Sequence, residues 1–204
     1  MRNNTMHEPR ELFSAVLARR GYSAASPKGT DKVTTHSYGA VYDELAAKLC
    51  TSEADVDVLE IGVQHGAFLH ALAEHLPRAR IVGLDVSLAH LDADLDWAHP
   101  RIRVHETDAT KPEALDFVAG TAFDLIVEDA SHVPGDQLAH LDLFAPLLKP
   151  GGTYVLEDIA DLEVRAQLDE LAAKHGLRMA WHDLRHAKGR FDDVLAVFTR
   201  PDTR

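Results

Sequence analysis

The stretch that decides the fold is FDLIVED at residues 123–129, followed by His132. A second run, YVLED at residues 154–158, has the same form, because its apolar segment also ends in two acids. Short apolar segments containing β-branched residues are typical of buried parallel strands. Both strands therefore present carboxylates at the edge of the sheet where open α/β folds bind ligands. Since buried carboxylates need a counter-charge, the converging acids predict a divalent cation held by oxygen ligands.

Outward from this pair, strand and helix patterns alternate along the chain. The predicted strands cover residues 56–61, 80–85, 101–105, 123–128, 153–157, 177–183 and 194–199. The predicted helices cover residues 66–76, 87–98, 111–118, 135–148 and 161–175. Strand–helix alternation implies parallel strands joined by right-handed crossovers. Only a turn at 185–190 separates the last two strands, which should therefore pair as a hairpin. The sequence thus predicts an α/β fold with a seven-stranded, mostly parallel sheet, an antiparallel last strand and helices on both faces.

Residues 1–50 are expected to add N-terminal helices and a lid-like loop to a core at 51–204, within a single domain overall. Pro9 can open a helix whose apolar face carries Leu12, Phe13, Val16 and Leu17. A second helix is expected at about residues 40–49. Between them, residues 21–39 form a long loop, and such loops in compact domains are often lids or binding segments.

Two interpretations of this loop stay open. As a lid it would bring four side chains to a cofactor or acceptor, namely Asp31, Lys32, His36 and Tyr38. As a plain connection, Asp31 would cap a turn and Tyr38 would pack on the core.

Composition narrows the function classes. The length of 204 residues suits one domain, and 33 acids against 21 bases give a net charge of −12, which disfavours nucleic acid as a partner. No apolar run approaches the roughly 18 residues of a membrane span, and the polar start lacks a secretory pattern, so no membrane partner and a cytoplasmic location are expected. The lone Cys50 excludes an internal disulfide. A homo-oligomer is compatible with the sequence.

A tight turn follows the first strand, in VLEIGVQHG at residues 58–66. Gly62 lets a ligand approach the backbone, and Gly66 opens the next helix. The dinucleotide fingerprint fails because Gln64 replaces a needed glycine, and Glu60 would oppose a pyrophosphate. Beyond the turn, Asp85 could bind ribose hydroxyls and Asp108 an adenine amino group. The pattern indicates a positively charged nucleoside without phosphates.

These residues, together with LLKPGG at 147–152, resemble the class I S-adenosylmethionine (SAM)-dependent methyltransferases. The resemblance implies a Rossmann-like fold with SAM as cofactor. It places Glu60, Gly62 and Gly66 around the methionine part, Asp85 at the ribose, and Asp108 with Ala109 at the adenine. The alternative is a Rossmann-like protein that binds another nucleoside or has lost its cofactor.

The acidic strand ends resemble, more narrowly, the metal-dependent sugar O-methyltransferases that act on macrolide antibiotics. GTDK at 29–32 and HSY at 36–38 also resemble a segment preceding the core of these enzymes. The resemblance implies that Asp129, Glu157 and Asp158 bind Mg²⁺ and that His132 is the general base. The expected activity is methyl transfer to a sugar hydroxyl of a glycosylated small molecule in natural-product biosynthesis.

The chemistry is consistent with this expectation. A sugar hydroxyl is a poor nucleophile, and a metal ion on its oxygen would favour deprotonation, while His132 titrates in the range of a proton acceptor. In the blander interpretation Asp129 and Asp158 cap turns, Glu157 is solvated and His132 lies on the surface. Two alternatives remain: a catechol-like phenol as acceptor, which the aromatic content of 6% disfavours, and a catalytically silent SAM-binding module.

Overall fold

The computed structural model describes residues 11–51 and 54–202. Its strands are β1 (Val56–Ile61), β2 (Ala79–Asp85), β3 (Ile102–Glu106), β4 (Phe123–Glu128), β5 (Leu148–Leu156), β6 (Arg178–Asp183) and β7 (Val194–Thr199). Its α-helices are α1 (Phe13–Arg19), α2 (Gly39–Cys50), α3 (Ala67–His75), α4 (Pro134–Phe144), α5 (Arg165–Lys174) and α6 (Arg185–Lys188). Short 3₁₀ helices cover Leu88–His90, Pro112–Val118, Ala145–Leu147 and Leu162–Val164.

All seven strands form one sheet in the order β3-β2-β1-β4-β5-β7-β6. Strands β1 to β5 pair in parallel, and β7 is antiparallel to both β5 and β6. The predicted fold class, including the antiparallel last strand, is confirmed. Chain order reverses between β1 and β4, and such switch points are where open α/β sheets bind ligands.

The core lies on both faces of the sheet. On one face α1, α2 and α3 contribute Phe13, Tyr42 and Phe68, and on the other α4 and α5 contribute Phe144 and Leu168. Burying a side chain of this kind stabilises the fold by about 1.5–3 kcal/mol. The central strands β1, β4 and β5 are covered on both sides, which explains the buried apolar residues along them.

The predicted helix at 87–98 is wrong. Only Leu88–His90 forms a 3₁₀ turn there, and residues 91–98 form turns. Asp92 and Asp96 accept hydrogen bonds from backbone N–H groups two residues ahead, at 3.2 and 3.1 Å. Aspartates that bond to their own backbone in this way compete with the helix.

Smaller differences concern the chain before the core and the 111–118 segment. The helix at 111–118 is of the 3₁₀ type, beginning at Pro112. In α1, Phe13, Val16 and Leu17 are buried as expected, but Leu12 is 61% exposed because it precedes the first helical residue. The predicted helix start at Pro9 lies outside the described residues. Among the residues that the structure describes, no helix is long and apolar enough to span a membrane.

Candidate active site

A cavity of about 660 Å³ opens at the carboxyl ends of the parallel strands. Its walls come from the segments after β1, β2, β3 and β4 and from residues 28–32 of the N-terminal loop. The volume lies in the range of small-molecule sites. The cavity therefore occupies the edge at which the acidic strand ends were predicted to meet.

The turn after β1 brings the backbone of two strands into close contact. Gly62 has a φ of +90°, and a Cβ added there would overlap the carbonyl group of Asp129. Asp85 braces this turn, since its Oδ2 accepts the N–H groups of Val63 and Gln64 at 2.7 and 2.9 Å. Asp85 lines the cavity with its carboxylate already engaged, and its predicted contact with ribose stays a prediction.

Glu60 lines the cavity with a buried carboxylate. It is 2% exposed, and its Oε2 has no hydrogen-bond partner among the described residues. Burial raises the pKa of this carboxyl well above its usual range. A positively charged ligand group beside Oε2 would supply the missing partner.

The predicted adenine end of the site is more open. Asp108 and Ala109 both line the cavity, and Ala109 is buried. Asp108 Oδ1 accepts hydrogen bonds from Thr110 N and Oγ1 at 2.9 and 2.6 Å, which lower the pKa of the Asp108 carboxyl. Its Oδ2 lies 3.9 Å from the Lys111 ammonium group. Asp108 is thus held ionised at the rim of the cavity.

Three of the predicted catalytic residues converge at the other end of the cavity. Asp129, His132 and Asp158 each offer one ligand atom, and these atoms lie within 4.8 Å of one another. His132 Nε2 is 3.0 Å from Asp129 Oδ1 and 3.6 Å from Asp158 Oδ2. Two carboxylate oxygens at this spacing fit a divalent cation, and the imidazole nitrogen lies beside them.

The charges of this group are strongly coupled. The hydrogen bond that His132 donates to Asp129 raises the pKa of His132 to about 9, so without a metal the imidazole is protonated at neutral pH. Burial raises the pKa of Asp158 to about 6. Burial alone would also raise the pKa of Asp129, but Lys32 and His132 hold it well below its usual range.

Glu157, the third predicted metal ligand, is not part of this trio. It is 1% exposed, and its Oε2 lies 2.6 Å from Lys32 Nζ. The Tyr42 hydroxyl donates to its Oε1. Both carboxylate oxygens are therefore occupied by protein donors in this arrangement, and metal binding by Glu157 stays a prediction.

The N-terminal loop is packed into the sheet edge beside these acids. Lys32, His36 and Tyr38 are buried, whereas Asp31 is about half exposed on its side chain, 3.6 Å from His36 Nε2. The Tyr38 hydroxyl donates to Asp158 Oδ1, and His36 Nδ1 lies 3.2 Å from that same oxygen.

A lysine at the end of α6 holds the same loop from the outside. Lys188 Nζ donates to the carbonyl oxygens of Val33, Thr34 and His36 at 2.7, 3.2 and 2.6 Å. The loop thus forms one wall of the cavity. Its interior side chains support the acids of the strand ends.

Backbone strain is concentrated at the same place. Within residues 11–51 and 54–202, three non-glycine residues have a positive φ: Gln64, His132 and Asp158, at 49°, 57° and 53°. Each follows a different strand, β1, β4 or β5, at the cavity edge. Side chains rarely adopt this conformation, and it is commonly retained at functional sites.

Sequence reasoning missed Tyr42 and placed Lys32 in a different role. Tyr38 immediately precedes α2 and Tyr42 follows it by four residues, about one helical turn. This spacing is a signal that could have identified the pair. In the lid interpretation, Lys32 would touch a cofactor or acceptor. Its pairing with Glu157 joins residues 125 positions apart in the chain, for which the sequence carries no local signal.

A methyltransferase-domain family model matches residues 59–159 of this chain. The mycinamicin VI 2''-O-methyltransferase of Micromonospora griseorubida is 34% identical over 114 residues, covering 51% of this chain and 27% of that enzyme. The 8-demethyl-8-alpha-L-rhamnosyl tetracenomycin-C 2'-O-methyltransferase of Streptomyces olivaceus is 27% identical over 140 residues, covering 64% of this chain and 35% of that enzyme. The chain thus spans about a third or less of the length of these relatives.

Among solved structures, the MycE methyltransferase from the mycinamycin biosynthetic pathway, in complex with Mg, SAH and mycinamycin VI, superposes with a TM-score of 0.69. The alignment has 22% identity and covers 96% of this chain and 54% of that chain. This likeness supports the observed fold.

Proposed function

We propose that this chain transfers a methyl group from SAM to a sugar hydroxyl of a glycosylated small molecule, with Mg²⁺ as metal. The match of a methyltransferase-domain family model to residues 59–159 supports the methyl transfer. The observation that carries the proposal is the convergence of Asp129, His132 and Asp158 beside the cavity. The relatives named as sugar O-methyltransferases support the acceptor class.

The cavity residues fit SAM. The unpartnered Glu60 Oε2 would accept a hydrogen bond from the cationic amino group of the methionine part. Gly62 keeps the wall free of a side chain where the cofactor would approach the backbone. We assign Asp108 and Ala109, which line the cavity, to the adenine, and Asp85, which also holds the turn, to the ribose.

The donor set fits a hard divalent cation. Asp129 Oδ1 and Asp158 Oδ2 face His132 and are the carboxylate oxygens we assign to the metal, with Glu157 as a further ligand if its carboxylate leaves Lys32. When bound, the cation would supply positive charge that favours the deprotonated acceptor hydroxyl and the neutral form of His132.

In the proposed reaction, the acceptor oxygen forms a bond to the methyl carbon as the carbon–sulfur bond of SAM breaks. The sulfonium becomes a neutral thioether, and the hydroxyl proton passes to His132. Asp129 orients the imidazole through its hydrogen bond to Nε2. The Tyr38 hydroxyl holds Asp158 through Oδ1, whereas Oδ2 lies toward His132. Most of the rate enhancement then comes from positioning.

The test is methyl transfer from SAM to a panel of sugar-bearing and phenolic acceptors, after chelation and after Mg²⁺ is restored. We expect transfer to the sugar hydroxyl only when Mg²⁺ is present. Unchanged turnover in chelator would remove the metal from the mechanism. Transfer to phenolic acceptors alone would replace the sugar by a catechol-like acceptor.

A matched pair of variants tests the base. His132→Ala should lower turnover about 10²–10⁴-fold while SAM still binds. His175→Ala removes a histidine that also pairs with an aspartate, Asp142, at 2.6 Å, but lies outside the cavity. This control should keep normal turnover.

A further inference from the structure

Lys32 carries a positive charge into the interior beside the candidate metal site. Its side chain is 1% exposed, and it is the one lysine among the buried residues of the described chain. Its Nζ lies 2.5 Å from Asp129 Oδ2 and 2.6 Å from Glu157 Oε2. The Phe68 ring lies below it, with 4.6 Å from Nζ to the ring centroid.

The ammonium group and the two carboxylates depend on each other. A buried charge needs a partner, and Lys32 has two. Conversely, Asp129 and Glu157 project from adjacent strand ends into a region that also contains buried Glu60. Without Lys32, these neighbouring acids would repel one another or take up protons. The Lys32 ammonium group therefore neutralises the acids at the ends of β4 and β5 and holds them close together.

The contacts also divide Asp129 between two roles. Its Oδ2 is bound by Lys32, which leaves Oδ1 facing His132 and the metal position. Glu157 has no free oxygen in this arrangement, since Tyr42 and Lys32 take one each. A metal ion would have to displace Lys32 to bind Glu157, and the ammonium group reduces the net negative charge around the metal position.

On the basis of the proposed function, we propose that Lys32 is a positioning residue that acts as an internal counter-ion and limits the affinity of the metal site. The ammonium group balances Asp129 and Glu157 in the metal-free protein, and it opposes a divalent cation placed beside them. Replacing it with a neutral side chain of similar length removes this opposition. A bound metal ion would then take over from the ammonium group in balancing Glu157 and, together with His132, Asp129.

The test compares Lys32→Met with a matched control, Lys149→Met. Lys149 Nζ also bridges two carboxylates, Asp57 Oδ2 at 2.8 Å and Asp124 Oδ2 at 2.7 Å, near the opposite ends of β1 and β4. Mn²⁺ binding is measured by electron paramagnetic resonance without SAM or acceptor. Thermal melting is measured in chelator and in Mg²⁺.

In chelator, both variants should melt below the wild type. Lys32→Met should bind Mn²⁺ about tenfold or more tightly than the wild type, because a unit charge in a partly buried site is weakly screened. Its stabilisation by Mg²⁺ should exceed that of the wild type. Lys149→Met should keep the wild-type Mn²⁺ affinity and the wild-type response to Mg²⁺.

The possible results separate this inference from the proposed function. Wild-type Mn²⁺ binding with no tightening in Lys32→Met overturns the role of Lys32 alone. Absence of Mn²⁺ binding in both proteins overturns it together with the metal of the proposed function. If Lys32→Met folds only with a divalent ion, the ion has replaced the ammonium group, as proposed. Lys32→Gln, which is neutral but can still donate a hydrogen bond, provides a second variant with the same expected tightening.

Discussion

Substitution of Gly62 by Ala tests the close approach of the β1 turn to the end of β4. Alanine at a φ of +90° costs about 1–2 kcal/mol. The new Cβ would also overlap the carbonyl group of Asp129, and overpacking of this kind costs about 1–3 kcal/mol more. We therefore expect Gly62→Ala to lower the free energy of unfolding by about 2–5 kcal/mol, measured by urea denaturation. SAM binding should weaken as well, because relief of the overlap displaces Asp129 from Gly62.

Gly120→Ala is the matched control. Gly120 has a φ of +77° with no atom within 4 Å of an added Cβ, so this variant retains the conformational cost without the overlap. The difference between the two variants should therefore be about 1–3 kcal/mol, the cost of overpacking alone. If Gly62→Ala unfolds at the same urea concentration as Gly120→Ala and binds SAM normally, the close approach does not determine the geometry of the site.

Two further predictions concern charge. Glu60→Gln should weaken SAM binding about tenfold to a hundredfold in calorimetry, since a hydrogen bond to a charged group contributes about 1.5–3 kcal/mol. The control is Glu106→Gln, which should bind SAM normally because the Glu106 carboxylate accepts a hydrogen bond from Leu88 N outside the cavity. If both variants bind SAM with the same affinity, Glu60 does not contact the cofactor. Without metal, the fold raises the pKa of His132 to about 9, from about 6.5 in the unfolded chain. The ion pair of protonated His132 with Asp129 should therefore stabilise the protein fully below a pH of about 6.5, and this stabilisation should disappear as the pH rises through about 9. The melting temperature of the wild type should then exceed that of His132→Gln most at low pH, and a gap independent of pH would contradict the assignment.

Much of the fold follows from local patterns in the sequence. The apolar runs at β1, β4 and β5 and the short connection between β6 and β7 were sufficient to predict the seven-stranded sheet and its antiparallel last strand. The predicted helix at 87–98 is wrong because the side chains of Asp92 and Asp96 bond to nearby backbone N–H groups and compete with the helix. The family-model match over residues 59–159 agrees with the methyltransferase resemblance of the glycine turn.

The sequence likewise predicted only part of the candidate site. Asp129, His132 and Asp158 follow directly from where β4 and β5 end, and the structure brings these three together. Lys32 and Glu157 could not be paired from the sequence, because the loop that carries Lys32 has no strand or helix period to indicate its direction.

The sequence by itself determined which acids lie at the carboxyl edge of the sheet, because a strand's length and alternation specify where its last residues point. Only the tertiary structure decided how the charges of these acids are balanced. Lys32 contacts Asp129 and Glu157, which lie 97 and 125 residues further along the chain. Tyr42 contacts Glu157 from α2, the helix that follows the loop. The physical reason is that a buried ion pair depends on the distance between two charges in space, and the folding of the intervening chain sets that distance.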